Sequence, residues 1–437
     1  MMRRYLWSLL CVGLLSCGGG GEDGGGGGTA MNGTTGAQRF FPGATAVPVS
    51  GPEVTGASRF DQIMMRALKD NDVPGATLAI AKNGRLILAR GYGYSDFEAR
   101  QTMQPDAMFR IASISKVLTS MAALHLKDQG VLDLDAKAFD ILTQYPLPAG
   151  SDARLHDISV RNLLQHAGGW NRNVSADPTR EEFMRVTGAT MPFTTDDMIR
   201  YWLTRRLDFA PGTSYQYSNL GYCILGPVVE KVSGQSYEHY VRDQVLLPMD
   251  VHAMSIGKSG LNGRGPFEVK YYEWDGRPLA DSDFPGQGKV QPAYGTNMAV
   301  CPSAGSWIAS AVDLTRVMTA IDGSRGGTFL SAATMTEYLA DPMLPPRDPH
   351  GWWGLGIAIG PTPDAWSHGG LGSTVAVLQR TSQYTFAFIT NSWPPNGDKF
   401  SSDIHAAITA ELQAPFDGSA SDLYAQFPSP NLPASSP

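Results

Sequence analysis

The most informative segment of this 437-residue chain reads Phe109-Arg110-Ile111-Ala112-Ser113-Ile114-Ser115-Lys116-Val117-Leu118. Ser113 and Lys116 are three residues apart, and residues with that spacing share one face of a helix. The amine of Lys116 can therefore reach the hydroxyl of Ser113 and accept its proton. Ser113 also falls at the first helical turn, where unsatisfied N–H groups and the helix dipole favour negative charge. These features predict a serine nucleophile.

An apolar helix follows this pair and is predicted to end at Gly130. Its apolar residues cover most of the circumference, which indicates a largely buried helix. A lysine is rarely buried without a function. The alternative is that Ser113 caps the helix and that the Lys116 side chain extends to water. The spacing alone does not decide, because Ser255 and Lys258 repeat it in a glycine-rich stretch.

Two later segments carry further polar groups. Residues 211–222 read PGTSYQYSNLGY, which is typical of a loop entering a helix, with Tyr217 in the loop and Asn219 near the cap. Residues 366–378 read WSHGGLGSTVAVL, where His368 precedes a glycine-rich bend and an alternating strand. The glycines of this bend allow a ligand to approach the backbone closely. On its own, the first segment is also compatible with a purely structural helix-entry loop.

Ser-x-x-Lys, Tyr-x-Asn and His-Gly-Gly, in that order, resemble the motifs of serine β-lactamases and penicillin-binding proteins. The Tyr-x-Asn form is similar to the class C branch, which includes family VIII-type carboxylesterases, D-aminopeptidases and D-Ala-D-Ala carboxypeptidases. The resemblance covers residues from about Phe60 to about Leu412. It implies an α/β two-lobe β-lactamase-like (penicillin-binding-protein transpeptidase) fold. An antiparallel sheet flanked by helices carries an inserted, mainly helical lobe, and the active site lies at the seam.

Within this fold we expect the sheet to come from residues 58–110 and 345–412, and the helical lobe from the middle of the chain. The segment Trp307–Met318 is predicted to be a helix of that lobe. His166 lies in the run Leu-Leu-Gln-His-Ala-Gly-Gly, which resembles a family element. We interpret His166 as structural.

The resemblance implies three catalytic residues. Ser113 is the nucleophile and forms an acyl-enzyme. The base that accepts its proton is either a neutral Lys116 amine or a Tyr217 phenolate held by the Lys116 cation. The two groups titrate as a unit, so the sequence leaves both alternatives open.

The resemblance also implies the substrate-binding residues. Asn219 is expected to bind Lys116 and the acyl side chain of the substrate. The backbone N–H groups of Ser113 and Leu371 are expected to form the oxyanion hole. Gly369 and Gly370 then lie beside the substrate on the same strand.

His368 departs from the family pattern, because β-lactamases and penicillin-binding proteins typically have a lysine there to hold the substrate carboxylate. Histidine has a pKa of about 6.5 and is mostly neutral at pH 7. A neutral imidazole donates a hydrogen bond but offers little attraction to a carboxylate. His368 therefore favours uncharged esters or amides over penicillins and D-Ala-D-Ala termini. The alternative is an edge histidine without a role.

Residues 1–16 are predicted to be a signal peptide, with a basic start, an apolar run and a small residue before Cys17. The sequence Leu14-Leu15-Ser16-Cys17 resembles a bacterial lipobox, in which the cysteine is lipidated and anchors the protein without a membrane span. A plain secretory signal is the alternative. Residues 17–57 are interpreted as a lipidated cysteine and a flexible glycine-rich linker. Residues 58–412 are the predicted catalytic domain, and residues 413–437 a loose Pro/Ser-rich tail.

We therefore expect an exported lipoprotein of the bacterial cell envelope, either facing the periplasm or anchored in the outer membrane. The net charge of −7, with interspersed signs, argues against nucleic acid or an anionic membrane surface as partners. The expected partner is a small-molecule ester, amide or peptidoglycan-derived substrate, and we expect a monomer. The histidines lack metal-ligand spacing and no nucleotide-binding motif occurs, so we expect no metal and no cofactor.

The chain has four cysteines. Cys11 would leave with the signal peptide and Cys17 would be lipidated, which leaves Cys223 and Cys301. In an oxidising envelope these two favour a disulfide. Two buried free thiols are the alternative.

The leading functional hypothesis is a serine hydrolase that cleaves esters through an acyl-Ser113 intermediate. The first alternative is a β-lactamase, D-aminopeptidase or D-Ala-D-Ala carboxypeptidase that acts on peptidoglycan-type substrates. The second is a non-catalytic cell-wall binding protein with the same fold. The presence of Ser113, Lys116, Tyr217 and Asn219 together favours an enzyme.

Overall fold

The computed structural model describes residues 39–176, 183–184, 187–188, 193–274, 276–372 and 374–430. The predicted signal peptide, Cys17 and residues 18–38 of the predicted linker lie outside the described residues. The strands of the described part are β1 (Val49–Ser50), β2 (Gly75–Lys82), β3 (Arg85–Asp96), β4 (Gln101–Thr102), β5 (Phe109–Arg110), β6 (Ser255–Ile256), β7 (Tyr272–Glu273), β8 (Ala280–Asp281), β9 (Lys289–Val290), β10 (Trp307–Ala309), β11 (Trp352–Trp353), β12 (Ala358–Ile359), β13 (Trp366–Leu371), β14 (Val375–Arg380), β15 (Tyr384–Thr390) and β16 (Ser392–Trp393).

The α-helices among these residues include a run of six between β5 and β6. They span Ser58–Asp70, Ser115–Asp128, Ala138–Ile141, Val160–Leu164, Thr195–Trp202, Asn219–Ser233, Tyr237–Tyr240, Pro292–Gly295, Pro302–Gly305, Ala311–Ile321, Ala332–Leu339 and Gly397–Glu411.

A nine-stranded antiparallel sheet lies at the centre of the described part, in the order β1-β3-β2-β15-β14-β13-β12-β11, with β4 paired to β3. The turn between β2 and β3 is Asn83-Gly84, and both residues have positive φ, as the tightest hairpins require. A smaller three-stranded sheet joins β5, β10 and β6. The predicted fold class is confirmed.

Both faces of the central sheet are covered, and this explains why β2 is buried on both sides. Successive side chains of a strand point to opposite faces. Leu78 and Ile80 accordingly pack with the helices Ser58–Asp70 and Gly397–Glu411. Ala79, between them, faces the core that contains the helix Ala311–Ile321. The helices of the two faces hold the sheet between two apolar layers.

The helical lobe is built around Ser115–Asp128, whose side chains are buried on almost every side. This confirms the predicted buried helix. It packs against Asn219–Ser233 in the larger core. Because this helix directly follows β5, residues 111–114 lie where the sheet region joins the helical lobe. The seam predicted for the active site is therefore the position of Ser113.

The prediction of a helix over Trp307–Met318 is wrong in its first residues and in its placement. Trp307–Ala309 form β10, which pairs with β5 and β6. Ser310 then caps the helix Ala311–Ile321, its Oγ accepting a hydrogen bond from the Asp313 N–H. The helix packs on β2 and β15 rather than in the helical lobe.

The predicted boundaries of the linker and the tail also need correction. Phe40 and Phe41 are buried, and β1 pairs with β3, so residues 39–57 pack on the domain. At the other end, Phe416, Leu423 and Tyr424 are buried. Apolar burial therefore holds both segments to the domain, although their composition is rich in glycine, proline and serine.

Candidate active site

Ser113 lies in a short 3-10 turn, Ala112–Ile114, and the α-helix begins two residues later at Ser115. Ala112 has φ +44, an uncommon conformation for a residue with a side chain. Two hydrogen bonds fix the backbone around this turn. The Thr374 hydroxyl donates to the Arg110 carbonyl at 2.8 Å, and the Trp307 N–H donates to the Ser115 hydroxyl at 3.2 Å. Strained backbone held in this way is characteristic of functional sites.

Lys116 is fully buried, and its Nζ reaches Ser113. The Nζ to Oγ distance is 3.1 Å, and Nζ also donates to the Ala304 carbonyl at 2.7 Å. Nζ lies 5.1 Å from the centre of the Tyr217 ring and 5.7 Å from that of Tyr222. The alternative in which Lys116 extends to water is therefore wrong. The structure brings the predicted nucleophile, amine and phenol together.

Tyr217 is buried in the loop before the helix Asn219–Ser233. Its ring centre is 4.2 Å from that of His166 and 5.9 Å from that of Trp353. The Arg172 guanidinium lies 5.2 Å from the Tyr217 ring centre. Asn219 is the first residue of the helix, with Ser218 at the N-cap, so it lies near the cap as predicted.

His166 combines its structural role with a place at the site. Its φ is +54, and its Nδ1 accepts a hydrogen bond from the Ser218 N–H at 3.1 Å. Burial, the Lys116 charge and His368 hold the pKa of His166 well below its ordinary value. A neutral His166 therefore supports the loop that carries Tyr217. In the sequence, only the family-like run around His166 indicated a role for this residue.

Trp353 is a site residue that the sequence analysis missed. Its ring contacts His166, Tyr217 and His368, with centroid distances of 4.8, 5.9 and 5.2 Å. Its Nε1 donates to the Leu164 carbonyl at 3.2 Å, which fixes the ring at the end of the helix Val160–Leu164. A Trp-Trp pair in a proline-rich stretch gives no motif, so only the fold places it here.

The strand β13 brings the glycine motif against the Ser113 turn. A methyl group at Gly370 would overlap the carbonyl oxygen of Ile111, so no larger residue fits there. Gly369 and Leu371, by contrast, are partly exposed. The interpretation that these glycines let a ligand approach the backbone stays a prediction. At Gly370 the group in close approach is the turn bearing Ser113.

The N–H of Leu371 points to the open edge of β13. N–H directions alternate along a strand, and the next N–H, that of Gly372, donates to Thr374 at 3.1 Å on the β14 side. The neighbouring β12 pairs only with Trp366 and Ser367. A substrate lying along Gly369–Leu371 would therefore meet the Leu371 N–H, as the predicted oxyanion hole requires.

His368 is buried, and its Nδ1 donates to the Gly369 carbonyl at 2.7 Å. Burial and the Lys116 charge lower its pKa to about 3, so the imidazole is neutral at pH 7. The Nε2 atom has no hydrogen-bond partner among the described residues. Because Nδ1–H is already used, this atom presents a lone pair rather than the donor expected from the sequence.

Acid is expected to destabilise the fold through His368. Its folded-state pKa of about 3 lies below the ordinary 6.5, so on acidification the unfolded chain binds a proton first and stability falls. Between about pH 7.5 and pH 5, this one group should lower the free energy of unfolding by about 2 kcal/mol. Denaturant unfolding at both pH values measures this effect. From pH 7.5 to pH 5, the free energy of unfolding of His368→Gln should fall by about 2 kcal/mol less than that of the wild type. The exposed His156→Gln serves as the control, and equal losses in all three proteins would refute the argument.

A disulfide joins the two elements on either side of Lys116. Cys223 lies in the helix Asn219–Ser233, and its sulfur is bonded to that of Cys301. Cys301 directly precedes the turn Pro302–Gly305, which contains the Ala304 carbonyl bonded to Lys116. The structure thus contains the predicted bridge rather than two free thiols.

In the part of the chain that the structure describes, no helix has the length and apolarity needed to cross a membrane. The same residues contain no group of three or more His, Cys, Asp or Glu side chains placed to hold a metal ion.

A protein-family model described as Beta-lactamase matches residues 60–411. Among curated proteins, the probable fimbrial assembly protein FimD of Dichelobacter nodosus (serogroup H1) is 31% identical over 43% of this chain and 45% of its own length. The protein flp of Staphylococcus aureus strain N315 is 27% identical over 50% of this chain and 41% of its own length. The chain therefore spans less than half the length of these relatives.

Solved structures share the fold at low identity. A penicillin-binding protein homologue from Pyrococcus abyssi has a TM-score of 0.63 at 21% identity, over 82% of this chain and 78% of the other. The hydrolase EstCE1 has a TM-score of 0.62 at 21% identity, over 80% and 98%. A D-amino acid amidase from Ochrobactrum anthropi has a TM-score of 0.60 at 18% identity, over 81% and 99%.

Proposed function

Because this chain belongs to the Beta-lactamase family and is a serine hydrolase of that fold, we propose that it hydrolyses uncharged carboxylic esters through an acyl-Ser113 intermediate. The observation that carries the ester assignment is the buried, neutral His368. A neutral imidazole gives no Coulombic attraction to the carboxylate of a penicillin or of a D-Ala-D-Ala terminus. One structural neighbour, EstCE1, is a hydrolase with promiscuous acyltransferase activity, which is consistent with acyl transfer from this fold.

In the proposed reaction, the Ser113 Oγ attacks the ester carbonyl while its proton passes to the Lys116–Tyr217 pair. The N–H groups of Ser113 and Leu371 stabilise the oxyanion. Collapse of the tetrahedral intermediate breaks the bond to the alcohol oxygen, which takes the proton from the same pair. Water then attacks the acyl-enzyme, gives its proton to the pair, and releases the acid as the Ser113 hydroxyl reforms.

The geometry supports the pair as a unit. The Lys116 Nζ is 3.1 Å from the Ser113 Oγ and lies over the Tyr217 ring at 5.1 Å from its centre. A proton leaving Ser113 therefore has an acceptor within hydrogen-bond reach. Asn219, at the first turn of the following helix, is proposed to bind the acyl side of the substrate.

Intact mass spectrometry tests the proposal. We expect brief exposure to a fluorophosphonate to give one adduct that maps to Ser113 and is absent from Ser113→Ala. We also expect hydrolysis of short-chain esters and no turnover of nitrocefin. Nitrocefin turnover, or release of D-Ala from a stem peptide, would replace the ester assignment with the β-lactamase or peptidase alternative. No adduct and no hydrolysis would leave the non-catalytic binding protein.

A further inference from the structure

A cavity of about 420 Å³ has Trp353, a residue of the candidate active site, in its wall. Its volume lies within the range of small-molecule sites. Most of its wall is the segment 341–353, and the remainder is Tyr215 and Ala358. Aromatic rings and prolines dominate the lining, which includes Tyr215, Trp352, Trp353, Pro342, Pro346 and Leu344.

Trp353 and Tyr215 connect this cavity to the residues of the candidate active site. The Trp353 ring is 5.2 Å from His368 and 5.9 Å from Tyr217, measured between ring centres. Tyr215 stacks on Trp353 at 6.2 Å. The Tyr215 N–H donates to the Pro345 carbonyl at 2.7 Å. The cavity wall is therefore fixed to the same loop that carries Tyr217.

The chemistry of ester cleavage directs the alcohol portion of a bound ester toward this cavity. The carbonyl carbon must sit at the Ser113 Oγ, with its oxygen near the Leu371 N–H at the far end of β13. The departing oxygen must lie within hydrogen-bond reach of Tyr217 or Lys116, because it takes their proton. The alcohol portion then extends from Tyr217 past His368, toward Trp353.

Of the charged groups in the lining, Arg347 and Asp341 pair with each other, and the Asp348 carboxylate accepts a hydrogen bond from the His350 N–H at 2.7 Å. The Arg347 guanidinium makes two hydrogen bonds of 2.8 Å to the Asp341 carboxylate. The Trp352 indole N–H donates to the Leu339 carbonyl at 2.9 Å. What these groups present to a ligand is mainly aromatic and apolar surface, which favours an uncharged ring.

We propose that this cavity is the subsite for the alcohol portion of the ester, and that it selects uncharged aromatic alcohols. This inference rests on the proposed ester hydrolysis and specifies its substrate class. In the acylation step, the bond between the carbonyl carbon and the alcohol oxygen breaks. That oxygen takes a proton from the Lys116–Tyr217 pair, so the aromatic alcohol leaves neutral.

Acetate esters that differ only in the alcohol test the subsite. Ethyl acetate and 2-naphthylmethyl acetate carry the same acyl group and similar alkoxide leaving groups, so the ratio of their kcat/KM values reports binding of the alcohol. We expect the wild type to favour the naphthylmethyl ester by at least about 30-fold, given the value of apolar burial in a pocket.

Leu344→Trp fills the cavity and is expected to lower that ratio at least about tenfold. Leu247→Trp, the same change at an exposed leucine outside the cavity, is expected to keep the wild-type ratio. A measurement that needs no variant is inhibition of ethyl acetate hydrolysis by 2-naphthylmethanol, which should be competitive.

The outcomes separate the two proposals. If fluorophosphonate labels Ser113 and both esters are cleaved at similar rates, with no inhibition by the alcohol, the subsite is refuted and ester hydrolysis stands. If neither ester is cleaved, the proposed function itself fails. A ratio that Leu344→Trp and Leu247→Trp lower equally would also refute the subsite.

Discussion

Replacing Lys116 with methionine is expected to lower kcat/KM for ester hydrolysis about 10⁴-fold, the upper end of what general acid–base catalysis contributes. The Lys116 Nζ contacts the Ser113 Oγ at 3.1 Å and is held by the Ala304 carbonyl at 2.7 Å. Methionine keeps the length and the apolar stem but removes the amine that, with Tyr217, is proposed to accept and return the proton.

Steady-state kinetics with fluorophosphonate labelling measure this effect. Ser113→Ala, Lys116→Met and the double variant should show losses of similar size, because residues that act as one unit are strongly non-additive. Stability is the control. Methionine removes a buried polar amine, so Lys116→Met should unfold at or above the wild-type denaturant midpoint. A Lys116→Met protein that stays folded and reacts with fluorophosphonate at the wild-type rate would exclude Lys116 from the proton path.

Removing the Cys223–Cys301 disulfide is expected to lower the free energy of unfolding by about 4.5 kcal/mol, the chain-entropy value for a loop of this size. The bridge spans a sequence separation of 78 residues. It joins the helix that begins at Asn219 to the turn that presents the Ala304 carbonyl. We expect kcat/KM to fall about tenfold as well, since small displacements of catalytic groups are costly.

Denaturant unfolding and ester hydrolysis of Cys223→Ala/Cys301→Ala measure both effects. Wild-type protein treated with reductant should approach the variant, whereas the variant should be insensitive to reductant. Hydrolysis is assayed at denaturant concentrations far below the unfolding transition, where the variant is still folded. A lower rate there reports displaced catalytic groups rather than lost stability. Unchanged stability and activity would mean that the surrounding contacts hold these elements without the bridge.

The motifs made the site predictable because each one ties chemistry to a local backbone requirement. Ser113 and Lys116 need only the helical spacing to meet, and their contact appears as expected. Gly370 is required by the Ile111 carbonyl that touches it. Asn83 and Gly84 both adopt the positive φ that the tight turn between β2 and β3 requires, which is again a local requirement. In these cases, the deciding interaction lies within a few residues or within a family pattern.

The remainder depends on long-range packing, which one sequence does not encode locally. The apolar residues Trp307–Ala309 are compatible with a buried helix or a buried strand. They form a strand because β5 and β6 pair with them. Trp353 lies on β11, and its ring contacts that of Tyr217 because of where the order of the strands places β11. His166 lies in a recognisable run, yet its ring contact with Tyr217 follows from two loops that meet in space.

The family match and the folded unit have different boundaries. The match covers residues 60–411, whereas the apolar core also draws on Phe40 and Phe41 before it and on Phe416, Leu423 and Tyr424 after it. Both terminal segments are attached to the central sheet. β1 pairs with β3 at one edge, and the Tyr384 hydroxyl on β15 donates a hydrogen bond to the Phe416 carbonyl at 3.0 Å. Any shortened or fused version of this protein should therefore keep residues 39–430 intact, because trimming to the matched range would expose core side chains to water.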